Sequence, residues 1–401
     1  MQLTLTDIPG FRYWGAHIGI KSKRRDLAMI VADEPCTAAA VFTQNVVVAE
    51  PVKLARRYIK DGKAQAFIIN SGNANACTGK DGAKGAAAMA EAAAEALGID
   101  KKLVIVASTG LIGEPFPTQK VVKGIEENVI KLSRRKVAST LCANAILTTD
   151  TFAKEAGVEF GVGAAKARMS GIAKGSGMIH PNMATMLAFI VCDVNITKNL
   201  LHEALTEAVG RTFNMITVDG DTSTNDMVAI MCSGKADHPQ IRKKGRDYQS
   251  FLRALDEVCE QLARLIVSDG EGSTKFVEYV VEGARDDESA RKIARTISDS
   301  SLVKTAIFGH DPNWGRIMSA AGRAGVDFDA DKVDLSISAG DTVPILKDGQ
   351  PVKVRRSSLA KRMKESFLKV NLDLHEGKGR GVSWGTDLSY EYVRINAEYT
   401  T

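Results

Sequence analysis

The sequence predicts a mixed α/β protein, with a large α/β part followed by a smaller C-terminal α+β part. Short apolar runs alternate with helical patterns through most of the chain. One of those runs is apolar almost without a break. Beyond about residue 330 the pattern changes to strand-like segments around a single helix. At 401 residues the chain exceeds one ordinary core, and roughly 100–200 residues per domain suggests two or three.

In chain order, "FII" (67–69), "LVIVAS" (103–108), "MLAFIVCDV" (186–194), "MVAIM" (227–231) and "FVEYVVEG" (276–283) read as strands. The third suits a strand covered on both faces, and the last alternates in part, as a strand with one wet face does. Residues 84–97, "KGAAAMAEAAAEAL", have high helix propensity and stop at Gly98. Phe251, Leu255, Val258, Leu262 and Ile266 recur at three- and four-residue spacing, one helical stripe. Weaker helical patterns cover 200–209 and 288–297. Past 330, "VDLSIS", "VPILKDGQPV", "LKVNLDL" and "SYEYVRIN" read as strands, with a hairpin at Asp348-Gly349 and a helix near 357–367. The two parts are expected to join between 284 and 330.

Composition narrows the function class. The formal net charge is +5, and the basic runs at 21–25, 134–136, 241–246 and 353–356 are scattered without interleaved aromatics. Solvated faces explain them better than a nucleic-acid track, leaving a weak bias toward anionic substrates. The opening "MQLTLTDIPG" lacks a signal-peptide pattern, and no apolar run approaches the ~20 residues of a membrane span. The six cysteines are far apart with no C-x-x-C pair, which predicts reduced, mostly buried thiols in a cytoplasmic protein. The histidines form no metal-binding pattern, so no metal is expected.

Two tempting motifs fail. In "NSGNANACTGKDG" (70–82) a phosphate loop would need glycine at Ala74 and a hydroxyl at Asp81, so a tight Gly/Asn turn is expected. In "DGDTSTND" (219–226) a calcium loop would need glycine at Thr224 and glutamate at Ile230, so a polar active-site or turn segment is expected. His180 stands near Thr185, but no aspartate nearby in sequence suggests a triad, and it receives no catalytic role.

Thr185 has a distinctive setting in "KGSGMIHPNMATMLAFIVCD" (174–193). Ala184 precedes it, glycines lie at 171, 175 and 177, and a rigid apolar strand follows. Such a junction can strain a peptide bond and aim the threonine hydroxyl at the preceding carbonyl. Acyl shift from nitrogen to oxygen, then hydrolysis, would make Thr185 a new N-terminus. Its α-amine, with an ordinary pKa of about 7.7–8, would serve as base.

The segment "GIAKGSGMIHPNMATML" (171–187) closely resembles the autoprocessing segment of the ornithine acetyltransferase family, the bifunctional glutamate N-acetyltransferases of arginine biosynthesis. "NSGNANACTG" (70–79), "ASTGLIGEP" (107–115), "ILTTDTF" (146–152), "TVDGDTSTND" (217–226), "VSDGEGSTKF" (267–276), "KTAIFGHDPNWGRI" (304–317) and "INAEYTT" (395–401) extend the resemblance over nearly the whole chain.

The resemblance implies a self-processing fold with an N-terminal threonine nucleophile and layered sheets and helices. Cleavage between Ala184 and Thr185 would give an α chain, 1–184, and a β chain, 185–401. Residues 185–284 would complete the main α/β domain, and about 285–401 would form the smaller one. Thr185 is then the nucleophile, and the Thr109 hydroxyl and Gly110 N–H form the oxyanion hole. Substrate-binding positions map onto Thr148, Lys174, Thr185, Glu271, Asn396 and Thr401. Acetyl passes from N-acetylornithine to Thr185 and on to glutamate. No cofactor is implied. Acetyl-CoA is a second donor in the bifunctional members, and no residue in the sequence decides whether this chain uses it. The implied assembly is a heterotetramer of two α and two β chains. The rival reading is a related N-terminal-nucleophile aminopeptidase or amidase, which passes the acyl group to water.

Overall fold

The computed structural model describes residues 3–180 and 186–398, which form two compact units. The first comprises Met1–Gly175, Pro181–Asn214 and Thr222–Ile266; the second comprises Ser176–His180, Met215–Asp221 and Val267–Thr401. Among the described residues, no helix is long and apolar enough to cross a membrane.

Strands in chain order are β1 (Phe11–Ala16), β2 (Leu27–Phe42), β3 (Lys63–Asn73), β4 (Val104–Leu111), β5 (Lys154–Val162), β6 (Ala165–Lys174), β7 (Leu187–Cys192), β8 (Ile216–Thr217) and β9 (Met227–Cys232). All but β8 build the first unit's sheet, in the order β4-β3-β2-β9-β7-β6-β5, with β1 paired to β2. β7 is buried at all six positions, as its unbroken apolar run requires. The long β2 joins the sheet's two halves. It pairs with β3 up to Val31, changes register before Cys36, and pairs with β9 over Thr37–Phe42. The sheet curls: the Phe67 ring on β3 lies 5.4 Å from that of Phe189 on β7, inside one core that also holds Ile105 and Ile172. On the other side of β3 and β4, helices α1 (Gly79–Leu97) and α2 (Thr118–Asn128) bury Met89, Ala93, Val121 and Ile125. Helix α1 ends where Gly98 turns left-handed at φ 68°. The 251–266 stripe is fully buried within the helix Arg246–Ser268.

The second unit carries a seven-stranded sheet. Its further strands are β10 (Phe276–Ala284), β11 (Asp334–Ala339), β12 (Asp341–Lys347), β13 (Gln350–Pro351), β14 (Phe367–Asp373) and β15 (Gly379–Thr386), in the order β13-β12-β11-β14-β10-β15-β8. β10 pairs with both β14 and β15, so this unit begins before the expected 285. The Asp-Gly hairpin joins β12 to β13, with Asp348 and Gly349 both at positive φ.

Two expectations change. "SYEYVRIN" is a helix (Tyr390–Glu398), not a strand: the Ser389 hydroxyl accepts the Tyr392 N–H at 3.2 Å and Glu391 pairs with Arg394 one turn on. The helix near 357–367 is shorter, Arg356–Arg362, and Phe367 already belongs to β14. Five cysteines are buried and all six are unpaired; Cys77 is exposed.

Candidate active site

Ala184, Thr185 and Thr401 lie outside the described residues. Of the other sequence-derived positions, the first unit holds Thr109, Gly110, Thr148 and Lys174, and the second holds Glu271 and Asn396.

In the first unit, Lys174 ends β6 and Thr109 nears the end of β4, with four strands between them in the sheet order. A flat sheet would hold those strands about 24 Å apart. Because the sheet curls, Lys174 Nζ stands 3.4 Å from Thr109 Oγ1 and donates to it. Both side chains are at most 9% exposed. A hydroxyl that accepts from an ammonium keeps its own hydrogen free to donate elsewhere. Gly110 is the other donor candidate. Its φ is 134°, and a Cβ there would stand 2.3 Å from the Gly72 carbonyl carbon, so only glycine lets β3 and β4 approach this closely.

Asp150, which the sequence reading did not single out, organises this region. Its buried carboxylate accepts from Lys154 Nζ at 2.7 Å, Gly175 N at 2.7 Å and Thr148 N at 2.9 Å. Burial alone would raise this carboxyl, but the charges of Lys174 and Lys154 and these bonds bring it down to about 2. Thr148 and Lys174 are thus tied to one anion.

The segment 222–226 supplies two further buried groups. Asn225 Nδ2 donates to the carbonyls of Ala74 at 2.5 Å and Ser108 at 2.9 Å, and its Oδ1 accepts from Thr224 Oγ1 at 2.5 Å. Ser108 is bonded to Thr109, so Asn225 fixes the peptide leading into the candidate oxyanion hole. Asp226 immediately precedes β9, whose first residue, Met227, donates its N–H to Met186 O at 3.1 Å. One of its carboxyl oxygens is fully buried with no hydrogen bond among the described residues. Burial pushes its pKa well above the usual range, against weaker opposing pulls from Ser223 and Lys174.

A folded pKa above the unfolded value means that stability from this group is complete below about pH 3.9 and is lost as pH rises toward the folded value. We predict that Asp226→Asn, neutral at every pH, gains stability relative to the parent as pH rises from 4.5 to 8. Denaturant unfolding at the two pH values checks this; equal midpoint differences at both would refute it.

In the second unit, Glu271 and Asn396 meet: Asn396 Nδ2 donates to Glu271 Oε2 at 2.9 Å. Glu271 N donates to Ser176 O at 3.0 Å, and a Cβ on Gly177 would stand 2.3 Å from the Glu271 carboxylate. The segment 176–180 therefore lies against Glu271, with Met178 N and Ile179 N both donating to Asp219 at 2.6 and 2.8 Å. His180 has the acid that its sequence neighbourhood lacked. Asp299 Oδ1 lies 3.2 Å from His180 Nδ1, and Thr217 Oγ1 lies at the same distance. Sequence spacing gives no hint of the pair, since 119 residues separate the two. Among the described residues, no cluster of His, Cys, Asp and Glu could hold a metal ion.

Comparison with known proteins places this two-sheet α/β chain. The ArgJ family pattern matches residues 12–401. The chain is 47% identical over 400 residues to the arginine biosynthesis bifunctional protein ArgJ of Shouchella clausii, a match spanning 99% of this chain and 96% of that protein. It is 48% identical over 393 residues to the protein of the same name from Staphylococcus epidermidis, spanning 98% and 97%. A crystal structure of arginine biosynthesis bifunctional protein ArgJ from Bacillus halodurans superposes with a TM-score of 0.51 at 44% identity, covering 54% of this chain and 100% of that one. The chain belongs to the ArgJ family.

Proposed function

We propose that the chain is a glutamate N-acetyltransferase that moves acetyl from N-acetylornithine to glutamate through an acetyl-Thr185 intermediate. Family membership over almost the full length supports the activity. The observation that carries the chemistry is the Thr109 hydroxyl, polarised by Lys174, one residue from the glycine N–H at 110. Two fixed donors of this kind stabilise a developing oxyanion by about 2.7–4 kcal/mol each.

The chain first cuts itself between Ala184 and Thr185, giving α and β chains. The freed Thr185 α-amine takes the proton as its hydroxyl attacks the acetyl carbonyl. The oxyanion collapses, the C–N bond breaks, and the proton leaves with ornithine. Glutamate then runs the sequence in reverse, its amine taking acetyl from the ester. Both amino acids carry an α-carboxylate, so one anchoring set serves both halves, with Lys174 as its cation and Thr148, Glu271, Asn396 and Thr401 as further substrate contacts. The reaction needs no cofactor and no metal; use of acetyl-CoA as a second donor is what separates the bifunctional members of the family from the monofunctional ones. The enzyme works in the cytoplasm as a heterotetramer of two α and two β chains.

The test is transfer of labelled acetyl from N-acetylornithine, with intact-mass measurement of the same sample. Label is expected on glutamate, and two chains divided at 184/185. Label appearing only as acetate would favour the water-using aminopeptidase or amidase reading instead.

A further inference from the structure

Three buried carboxylates of the first unit have their hydrogen bonds in place. Asp26 accepts the N–H groups of Ile18, Ile20 and Lys21 at 2.6, 2.7 and 2.9 Å. Asp150 accepts from Lys154, Gly175 and Thr148, and Asp193 accepts from Arg168 N at 2.8 Å. Asp226 differs. It is 2% exposed, and among the described residues its Oδ2 is the one fully buried carboxyl oxygen without a hydrogen bond. Leaving such an oxygen unpaired costs stability, and a fold that keeps it calls for a reason.

The reason lies in what stands beside it. Strands β7 and β9 run parallel, with Leu187 level with Met227. One residue back along each strand, Met186 meets Asp226: Met227 N donates to Met186 O at 3.1 Å, and the Met186 N–H is near enough to pull on the Asp226 carboxyl. Met186 directly follows Thr185, so this N–H belongs to the peptide group joined to Thr185. The Asp226 backbone is pinned from the end of β2, where Thr43 N donates to Asp226 O at 3.0 Å. Among the described residues, Lys174 on β6 is the one charged group that pulls on this carboxyl, with the Ser223 hydroxyl also near, and burial outweighs them all. Its proton affinity therefore exceeds that of an ordinary aspartate, which suits a carboxylate to take a proton from a hydroxyl.

The proposed chemistry needs such a group once. In each turnover the Thr185 α-amine is the base, but that amine exists only after the cut. During the cut its nitrogen is part of an amide and accepts no proton.

We propose that the Asp226 carboxylate is the base of self-cleavage, taking the Thr185 hydroxyl proton as the oxygen bonds to the Ala184 carbonyl carbon. The proposal rests on the self-cleavage reading above. The oxyanion then collapses, the C–N bond breaks, and Asp226 passes the proton to the Thr185 nitrogen. This leaves an ester, a free α-amine and Asp226 again as carboxylate. Water splits the ester, which restores the hydroxyl and leaves a carboxylate on Ala184, the last proton going to the α-amine.

The test follows cutting of the freshly synthesised full-length chain by intact mass between pH 4.5 and 8. The parental rate should rise with pH as Asp226 loses its proton, above the ordinary aspartate value of about 3.9. Asp226→Asn should cut at least about a hundredfold more slowly at pH 8 and lose that dependence. Its fold is checked by denaturant unfolding against Thr185→Ala, which is also uncut. The neutral amide, of the same shape, should unfold at no lower a midpoint. Asp193→Asn, at the other end of β7, should cut at the parental rate; equal slowing there would mark a general effect of losing a buried carboxylate and overturn the proposal. A folded Asp226→Asn that cuts at the parental rate overturns it too, as does a parental rate that is flat across this range. If Asp226→Asn does not fold, the parental pH profile and Asp193→Asn decide. A parent that never cuts brings down the self-cleavage reading instead.

Discussion

Thr185→Ala is expected to yield a single uncut chain of 401 residues with transfer reduced by at least about four orders of magnitude. The hydroxyl has two uses in the proposed chemistry. It attacks the Ala184 carbonyl once, during maturation, and it carries acetyl in every later turnover. Alanine removes both, and the uncut chain also lacks the α-amine that would act as base. Thr185→Ser separates the effects. Serine keeps the hydroxyl but loses the χ1 restriction of a β-branched side chain, so it should still cut and still transfer, each more slowly. Intact mass reads the first step and acetyl exchange the second. A Thr185→Ala chain that is cut, or that transfers at the parental rate, would place the nucleophile elsewhere.

Much of the architecture was legible because it depends on local signals. The unbroken apolar run of β7, the alanine-rich α1 with its Gly98 stop, and the Asp348-Gly349 hairpin each follow from periodicity or turn chemistry within one segment. The hairpin of β5 and β6 carries no such signal, because its sequence, "KEAGVEFGVGAAKARMSGIAK", is rich in glycine and alanine, which have little strand preference. The last helix imitates a strand in sequence because Tyr390 and Tyr392 alternate with a polar residue over so short a span. Its opening signal was the hydroxyl at Ser389.

The candidate site is reached in another way, by resemblance. The segments at 107–115 and 171–187 pointed to Thr109, Gly110 and Lys174, and the curled sheet brings Lys174 to Thr109. What holds them was not legible. Asp150 reaches Gly175, 25 residues on, and Asn225 reaches the Ser108 carbonyl, 117 residues back. Within the second unit His180 likewise meets Asp299 only through the fold. A buried asparagine or aspartate in a polar loop has no pattern that separates a scaffold role from a turn.

Asn225 is where such a hidden role should have its largest effect. Its two N–H bonds clamp the loop at Ala74 to the Ser108 carbonyl, one peptide before the Thr109 donor. Asn225→Asp keeps the shape but replaces both donors with an acceptor facing two carbonyls, and each buried carbonyl left unpaired costs about 1–3 kcal/mol. The Ser108–Thr109 peptide is then free to shift, and displacements of about 1 Å at a reacting centre lower rates on the order of a hundredfold. We predict that kcat for acetyl exchange falls about 10–100-fold while KM for N-acetylornithine changes less than about threefold, because the oxyanion forms only in the transition state. Self-cleavage should slow by a comparable factor, since attack on the Ala184 carbonyl makes an oxyanion of the same kind. Ser170→Ala provides the contrast. It removes a buried bond from Ser170 Oγ to Ala156 O on β6 and β5, away from the Thr109 peptide. That variant should lose stability without the selective fall in kcat. If folded Asn225→Asp retains the parental kcat, its two bonds hold the loop and nothing more.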